Sequence, residues 1–186
     1  HYIHNPADKT SISQAMVTDI SITTDGIVIA GTLRGLNVYN PVSDNFERIS
    51  HQKNEHTLNN DFINCILPDG NSLWVGTEAG GLNKMTLKKL GIENYAHIPS
   101  DKYSLSANPV NAIYEDRKGN LWVGTVEGGL NLKQKDDDRF FHYTTNNGFL
   151  SHNSVSTLDE DKDGNLWAGT WGGGISILDI KKIPVT

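Results

Sequence analysis

The acidic run of residues 159–164 is the segment whose residue types come closest to a metal site. Its Asp-x-Asp-x-Asp-Gly pattern matches the first half of a calcium-binding loop, in which carboxylate oxygens surround the ion. The twelfth position of such a loop carries a bidentate glutamate, but here that position is Thr170. Because the equivalent place elsewhere in the chain holds turn sequences such as Asp69-Gly70, we interpret the run as a hairpin turn and expect neither a metal site nor a cofactor.

The seven histidines and the single cysteine offer little further catalytic or metal chemistry. His4, His51 and His97 occupy one repeated position, one in each repeat, so they are not expected to converge on one ion. Cys65 lies inside the apolar run of residues 62–67, which predicts a buried and unreactive thiol. No Gly-x-Ser-x-Gly nucleophile elbow occurs. The sequence therefore predicts that this chain is not an enzyme.

These side chains are carried by an internal repeat. Four segments end in Gly-Thr after a short apolar run, and their glycines, which are 45, 48 and 45 residues apart, are Gly31, Gly76, Gly124 and Gly169. An apolar segment lies just upstream of each of these, and a run related to Gly-Gly-Leu-Asn lies just downstream. Three matched blocks at one spacing indicate a structural repeat.

Each repeat is predicted to contain four short strands. In the third repeat, residues 110–114 are mostly apolar, a turn rich in Asp, Gly and Asn follows, and residues 121–125 form a second strand. Residues 130–133 alternate between apolar and polar, and the aromatic residues 140–143 begin a fourth strand. This pattern predicts an all-β fold of β-propeller blades, about four four-stranded antiparallel sheets.

The predicted propeller, or propeller fragment, spans the whole chain as one domain. Residues 1–12 match the segment that begins at Tyr95, so we expect them to form the outer strand of a preceding or ring-closing blade. Two architectures remain open, a small closed ring and a fragment of a larger propeller whose ends expose sheet edges. The predicted blades are residues 13–58, 59–105, 106–150 and 151–186.

Residues 108–131 closely resemble the two-component regulator propeller repeat. They combine Asn-x-Val-x-x-Ile-x-Glu-Asp with Gly-Asn-Leu-Trp-Val-Gly-Thr and Gly-Gly-Leu-Asn. Residues 151–176 are close to the same pattern, residues 59–83 somewhat less so, and residues 13–37 are degenerate. The resemblance implies the extracytoplasmic sensor region of bacterial hybrid two-component histidine kinases, which is typically a seven-bladed propeller and is often associated with carbohydrate utilisation.

The same resemblance implies more protein than this chain contains. In that family the propellers are followed by a small β-sandwich, a membrane helix and a kinase, and none of these is evident in the sequence. The chain also begins without a methionine or a signal-peptide pattern. We therefore expect a non-catalytic, periplasmic segment of such a sensor, which relays ligand binding to a kinase outside this chain.

A ligand is expected where the loops between second and third strands meet the loops that enter the next blade, because both lie on one face of the blades. Amide, carboxylate, guanidinium and aromatic groups are mixed there, which suits a hydroxyl-rich ligand such as an oligosaccharide. Trp171 has no packing role implied by the repeat, whereas the aligned Trp74, Trp122 and Trp167 are expected to pack between blades. The candidate ligand-binding residues are Arg34, Glu78, Glu127, Trp171, Asn60, Asn108 and His152.

Composition excludes some partners and leaves others open. The formal net charge of -6 argues against nucleic acid, and no apolar run approaches the ~20 residues that span a bilayer, so we expect no membrane contact. Protein partners remain open, either a second copy in a homodimer or the missing blades of a parent protein. Two alternatives to a sensor also remain, a propeller-type polysaccharide lyase or glycoside hydrolase that uses acids such as Glu78 and Glu127, and a purely structural or assembly module.

Overall fold

The structure, a computed structural model, describes residues 1–53, 57–87 and 91–184. These residues form fifteen β-strands and no helix, which confirms the predicted all-β fold class. Accordingly, nothing in the described ranges is a helix long and apolar enough to cross a membrane. The chain divides into two compact units, His1–Asn94 and Tyr95–Thr186, and two sheets are assigned to each, with the last residue of the second sheet at the boundary.

The first unit contains two four-stranded sheets in which consecutive strands are neighbours. The first sheet comprises β1 (Val17–Ile22), β2 (Val28–Thr32), β3 (Gly35–Asn40) and β4 (Asn45–Ile49). The second sheet comprises β5 (Ile63–Asp69), β6 (Ser72–Thr77), β7 (Leu82–Thr86) and β8 (Gly91–Tyr95). The two sheets contact each other through their first strands, β1 and β5, as adjacent blades of a propeller do.

The second unit repeats this arrangement with one strand fewer. Its first sheet comprises β9 (Val110–Glu115), β10 (Leu121–Thr125), β11 (Gly129–Lys133) and β12 (Phe140–Tyr143). Its second sheet comprises β13 (Val155–Glu160), β14 (Asn165–Thr170) and β15 (Gly174–Asp179), again in chain order. The strands β9 and β13 contact each other, which matches the packing of β1 on β5.

Residues 1–12 form no strand. They lie beside β4, where the Phe46 N–H donates to the Thr10 carbonyl at 2.8 Å and Arg48 Nε donates to the Ser11 carbonyl at 2.8 Å. The fourth sheet has three strands among the described residues, and residues 1–12 do not add a fourth strand to it. Their role as the outer strand of a preceding blade stays a prediction, as do the blade limits.

Each unit has an apolar core between its two sheets. These side chains provide most of the folding energy, since burying apolar area contributes about 25 cal/mol per Å². The first core includes Ile29, Leu36, Ile63, Leu73 and Val75. The second includes Trp122, Leu130, Val155, Leu166 and Leu178.

An aspartate holds the hairpin between the first and second strands of a sheet. Asp161 Oδ2 accepts hydrogen bonds from the Trp167 indole and the Asn165 side-chain amide, both at 2.9 Å. These bonds, with the Trp167 bond the strongest cause, hold the pKa of Asp161 well below its usual range. Asp116 and Trp122 form the same pair at 2.9 Å. The Asp and Trp of the repeat pattern therefore stabilise the hairpin turn. In the described ranges, no group of three or more His, Cys, Asp or Glu could hold a metal ion.

Burial at equivalent repeat positions differs in the first and last sheets. Trp122 is 0% exposed, as expected for packing between blades, but Trp167 is 40% exposed, so that expectation is wrong for Trp167. Ile175 occupies the position of the fully buried Leu130 and is itself 63% exposed. On β1, Ile20 is 62% exposed. One face of the first sheet and one face of the last sheet thus present apolar side chains to solvent.

Candidate ligand-binding site

In each unit the hairpin between second and third strands meets the connection that enters the next sheet. The Gly35 N–H donates to the Asp61 carbonyl at 2.7 Å in the first unit, and the Gly129 N–H donates to the Asn153 carbonyl at 2.7 Å in the second. The two classes of loop that were predicted to share a face therefore contact each other within each unit. We call these regions the loop edges, which comprise residues 32–35, 57–62 and 77–81 in the first unit and 125–129, 151–154 and 170–174 in the second.

Three of the predicted site residues converge on Ser154 in the second unit. The Glu127 N–H donates to Ser154 Oγ at 3.1 Å, and the Trp171 N–H donates to the Ser154 carbonyl at 2.9 Å. The Ser154 N–H in turn donates to His152 Nδ1 at 3.0 Å. Because Ser154 is buried, these bonds fix the backbone from which the three side chains project.

Trp171 and Glu127 are exposed on this loop edge. The Trp171 side chain is 58% exposed, although burial of an indole would be favourable. Glu127 has a φ of 62°, in the left-handed region that favours glycine, and the equivalent residue of the next repeat is Gly172. A backbone strain of this kind is found most often where a side chain has a function. An indole face and a carboxylate together can stack on a sugar ring and accept bonds from its hydroxyls.

The first unit carries a polar pocket at its loop edge. Arg34 is exposed on the β2–β3 hairpin, and its guanidinium reaches a cavity of about 410 Å³. Arg48 of β4 contributes a second guanidinium, which the sequence did not indicate because β4 is an outer strand. The cavity is lined by His4, Pro6, Ser13, Arg34, Arg48, Ser50 and Asp61.

The remaining predicted residues take part in local hydrogen bonds. Asn60 Oδ1 accepts from the Phe62 N–H at 2.9 Å, which is the same role that His152 has in the second unit. Asn108 Oδ1 accepts from the His97 N–H at 2.7 Å. Asn60 and Asn108 thus stabilise turns. Glu78 accepts a bond from Asn64 Nδ2 at 2.9 Å, and it lies in the other unit from Glu127.

The repeated histidines close the connections between sheets. The Nδ1 atoms of His4, His51 and His97 bond backbone carbonyl oxygens at distances of 2.6 to 2.8 Å. Each partner carbonyl lies seven or eight residues further along the chain. The repeated position therefore has a structural explanation, a ring nitrogen that satisfies a carbonyl at the same place in successive repeats.

Cys65 lies on β5, and its environment disfavours the thiolate. Burial, with a smaller contribution from the charge of Asp19, raises the pKa of the Cys65 thiol. Because the thiolate is the reactive form, a raised pKa makes Cys65 a poor nucleophile.

The repeats match a known family. Three segments, residues 57–79, 104–127 and 150–172, match the model of the family described as two component regulator propeller. This chain contains two-component regulator propeller repeats. The Asp–Trp hairpins and the Gly-Gly turns described above are the structural basis of that repeat pattern. Among curated proteins, none matches the chain significantly.

Solved structures that carry similar repeats include two extracellular domains from B. thetaiotaomicron. The domain of BT3049, described as a hybrid two component system, is 24% identical with a TM-score of 0.79, over 97% of this chain and 23% of that chain. The domain of BT4673, described as a hybrid two component system, is 25% identical with a TM-score of 0.74, over 92% of this chain and 22% of that chain. This chain thus spans less than a quarter of the length of these two neighbours.

A neighbour from outside this group confirms the propeller fold. The WD40 β-propeller domain of Doa1 is 13% identical, with a TM-score of 0.68, over 90% of this chain and 52% of that chain. Together with the family match, these likenesses support a propeller segment of the kind that two-component sensors carry in their extracellular domains.

Proposed function

We propose that this chain is a non-catalytic, ligand-sensing propeller segment of a bacterial two-component sensor. It acts in the periplasm, recognises an oligosaccharide and relays binding to a kinase that lies outside this chain. The observation that carries the proposal is the exposed Trp171 indole, which shares the Ser154 anchor with Glu127 at the loop edge. The extracellular location of the two similar domains supports the periplasmic assignment.

Trp171 is the residue that indicates the chemical class of the ligand. It has no counterpart at its repeat position, where the other repeats carry Glu78 and Val126, so the fold itself does not require an aromatic ring there. A flat exposed indole offers a large apolar surface to a partner that also has polar edges, and sugar rings have both. The Glu127 carboxylate can accept hydrogen bonds from ligand hydroxyls.

Trp171→Ala is expected to weaken oligosaccharide binding about tenfold, because the stacking surface is lost. A thermal-shift and denaturation screen of the 186-residue chain measures this. A glycan present at 100 times its Kd should stabilise the native chain by about 2.7 kcal/mol, and the same concentration should stabilise the variant by only about 1.4 kcal/mol.

Trp167→Ala is the matched control, since Trp167 is also an exposed tryptophan of the last sheet but lies outside the loop edge. Its stabilisation by ligand, measured against its own unliganded state, should equal that of the unmodified chain. If no glycan stabilises the folded chain, the proposed function is wrong.

We also propose that further propeller repeats of the parent protein cover the exposed faces of the first and last sheets. Ile175 lies at the repeat position where Leu36, Leu82 and Leu130 are fully buried. The similar extracellular domains are also more than four times as long as this chain, since the chain covers 22–23% of them. A face built for burial and left open costs free energy that an adjacent blade would recover.

The isolated chain is therefore expected to self-associate through these faces as its concentration rises. Ile175→Glu should shift the association to at least about tenfold higher concentration, because it places a charge in the apolar face. Sedimentation velocity from micromolar to millimolar concentration measures this, with the exposed Lys181→Glu as a control. A chain that remains monomeric throughout would contradict the proposal.

A further inference from the structure

Each unit contains two of the four arginines of the chain, and the two pairs differ in whether they form ion pairs. In the second unit, Arg117 lies 3.8 Å from a carboxylate oxygen of Glu160, and Arg139 lies 2.6 Å from Asp137. In the first unit, neither Arg34 nor Arg48 forms an ion pair with a described carboxylate, and both line the same pocket. Two guanidinium groups that lack an ion pair thus line one cavity, in a chain whose formal net charge is -6.

Arg48 is held in place by neutral acceptors. Its Nε donates to the Ser11 carbonyl at 2.8 Å, and its Nη2 donates to the Asp8 carbonyl and to Ser11 Oγ, both at 2.9 Å. Carbonyl and hydroxyl oxygens satisfy the donors of a guanidinium but do not neutralise its charge. Within the described residues, Nη1 of Arg48 makes no hydrogen bond, so part of the guanidinium fork is available to a ligand.

Arg34 stands where the repeat otherwise requires glycine. At Gly128 and Gly173, an added Cβ would lie 2.6 Å from Ser106 Oγ and 2.7 Å from His152 Cβ. The β2–β3 hairpin has one residue fewer than its counterparts, and this local change accommodates the Arg34 side chain. The first repeat thus differs from the others in carrying a charged side chain at this position, and that side chain lines the pocket.

The other polar groups of the pocket complement an anion that carries hydroxyls. Ser50 contributes a hydroxyl group, whereas the hydroxyl of the buried Ser13 is already bonded to Thr32 Oγ1 at 2.8 Å and accepts from Asn37 Nδ2 at 2.9 Å. His4 contributes the ring nitrogen that is not bonded to the Ile12 carbonyl. Asp61 is the one carboxylate in the lining, and its Oδ1 already accepts the His51 N–H at 2.6 Å. Arg34, Arg48 and Asp61 together give the lining a formal charge of +1.

We propose that this cavity, which we call the arginine pocket (His4, Ser13, Arg34, Arg48, Ser50 and Asp61), binds an oxyanion carried by a saccharide. The oxyanion is a uronate carboxylate or a sugar sulfate, since guanidinium groups bind either with paired hydrogen bonds. Ser50 and Asp61 bind hydroxyls of the same ligand. The inference rests on the proposed function for its ligand class, a saccharide, and it assigns to the first unit a separate binding site that selects acidic saccharides.

Paired ligands that differ only in charge test the arginine pocket. Trigalacturonate is compared with its methyl ester, galactose 6-sulfate with galactose, and inorganic sulfate serves as the bare anion. Calorimetry on the 186-residue chain gives the affinity, and the amide NMR signals of Thr32 and Gly35 report binding at the pocket. The acidic member of at least one pair is expected to bind about tenfold or more tightly than its neutral counterpart, and less tightly at high salt.

Arg34→Gln should abolish that preference without unfolding the chain, since the Arg34 side chain makes no hydrogen bond to a described residue. Arg117→Gln, which removes a guanidinium from the second unit, is the matched control and should keep the preference. An unchanged melting temperature confirms that each variant is folded.

The outcomes separate this inference from the proposed function. If acidic and neutral members bind equally, or if Arg34→Gln behaves like Arg117→Gln, the inference is overturned while oligosaccharide sensing stands. If inorganic sulfate binds as tightly as the acidic sugars, the saccharide part is overturned and the pocket is a simple anion site. If no saccharide of any charge binds, the proposed function fails and the inference fails with it.

Discussion

Trp122→Ala is expected to destabilise the protein by about 4 kcal/mol, and Trp167→Ala by only about 1 kcal/mol. The two residues occupy the same repeat position in the second unit, and each indole donates to the aspartate of its own hairpin at 2.9 Å. Both substitutions remove that hydrogen bond, so the difference between them reports burial. Trp122 is 0% exposed and packs against Tyr143, with ring centroids 5.7 Å apart, whereas Trp167 is 40% exposed.

Urea denaturation followed by far-UV circular dichroism measures both losses. The pair is internally controlled, because the chemical change, the strand position and the lost hydrogen bond are the same. Equal destabilisation by the two substitutions would contradict the conclusion that Trp122 is buried and Trp167 is partly exposed.

Asp116→Ala is expected to cost about 3 kcal/mol of stability. The Asp116 carboxylate is buried and accepts hydrogen bonds from the Trp122 indole, from both nitrogens of Asn120 and from the Lys118 N–H, all at 2.9 Å. Removing the carboxylate leaves the buried Trp122 indole N–H without an acceptor and also breaks the part-buried bonds from Asn120 and Lys118. Each unsatisfied buried donor costs about 1 kcal/mol or more, and the part-buried bonds contribute the rest.

Asp116→Asn retains one acceptor oxygen and should lose about half as much stability as the alanine variant. The exposed Asp136 supplies the control, since Asp136→Ala should change the unfolding free energy by less than about 0.5 kcal/mol. Urea unfolding of the three variants measures these values. A cost for Asp116→Ala no greater than that of Asp136→Ala would show that the carboxylate does not hold the hairpin.

The strands were predictable because each repeat encodes its turns locally. In the last repeat, Asp161, Gly164 and Asn165 define a hairpin, and Gly164 adopts a φ of 84° that other residues rarely adopt. The alternation of apolar residues on either side then sets which side chains face the neighbouring sheet. The turn residues and the apolar alternation of a hairpin lie within about a dozen consecutive residues. The fold class could therefore be predicted from a single sequence.

Burial at the outer faces was not predictable from the same patterns. Trp122 and Trp167 have nearly identical sequence surroundings, yet one is buried and the other is not, because burial depends on the sheet that packs against each. Residues 1–12 were likewise matched to a strand, but a strand requires a partner strand to complete its ladder. The sequence of a repeat thus shows which side chains can be buried and which segments can pair, but burial and pairing also require a neighbouring sheet or strand.

The candidate site was predictable in part. The meeting of two loop classes followed from strand order, which placed Glu127, His152 and Trp171 near one another. Arg48 was missed because it lies on an outer strand, and nothing in its local sequence indicates that its guanidinium turns toward residues 8–12. Arg34, which lies at a repeat position that is otherwise glycine, was among the predicted residues, and it lines the pocket of the first unit.

Within every sheet described here, each strand is hydrogen-bonded only to the strands before and after it in the chain. The register of strand pairing is therefore set within each repeat, and no pair of strands depends on a distant segment of the chain. The loops that join paired strands are short, so the contacts within a sheet are local in sequence. Gain or loss of a whole repeat would leave all other ladders intact, as in other quasi-one-dimensional proteins. Genes of this type can consequently gain or lose repeats by duplication or deletion while the sheets of the remaining repeats keep their pairing.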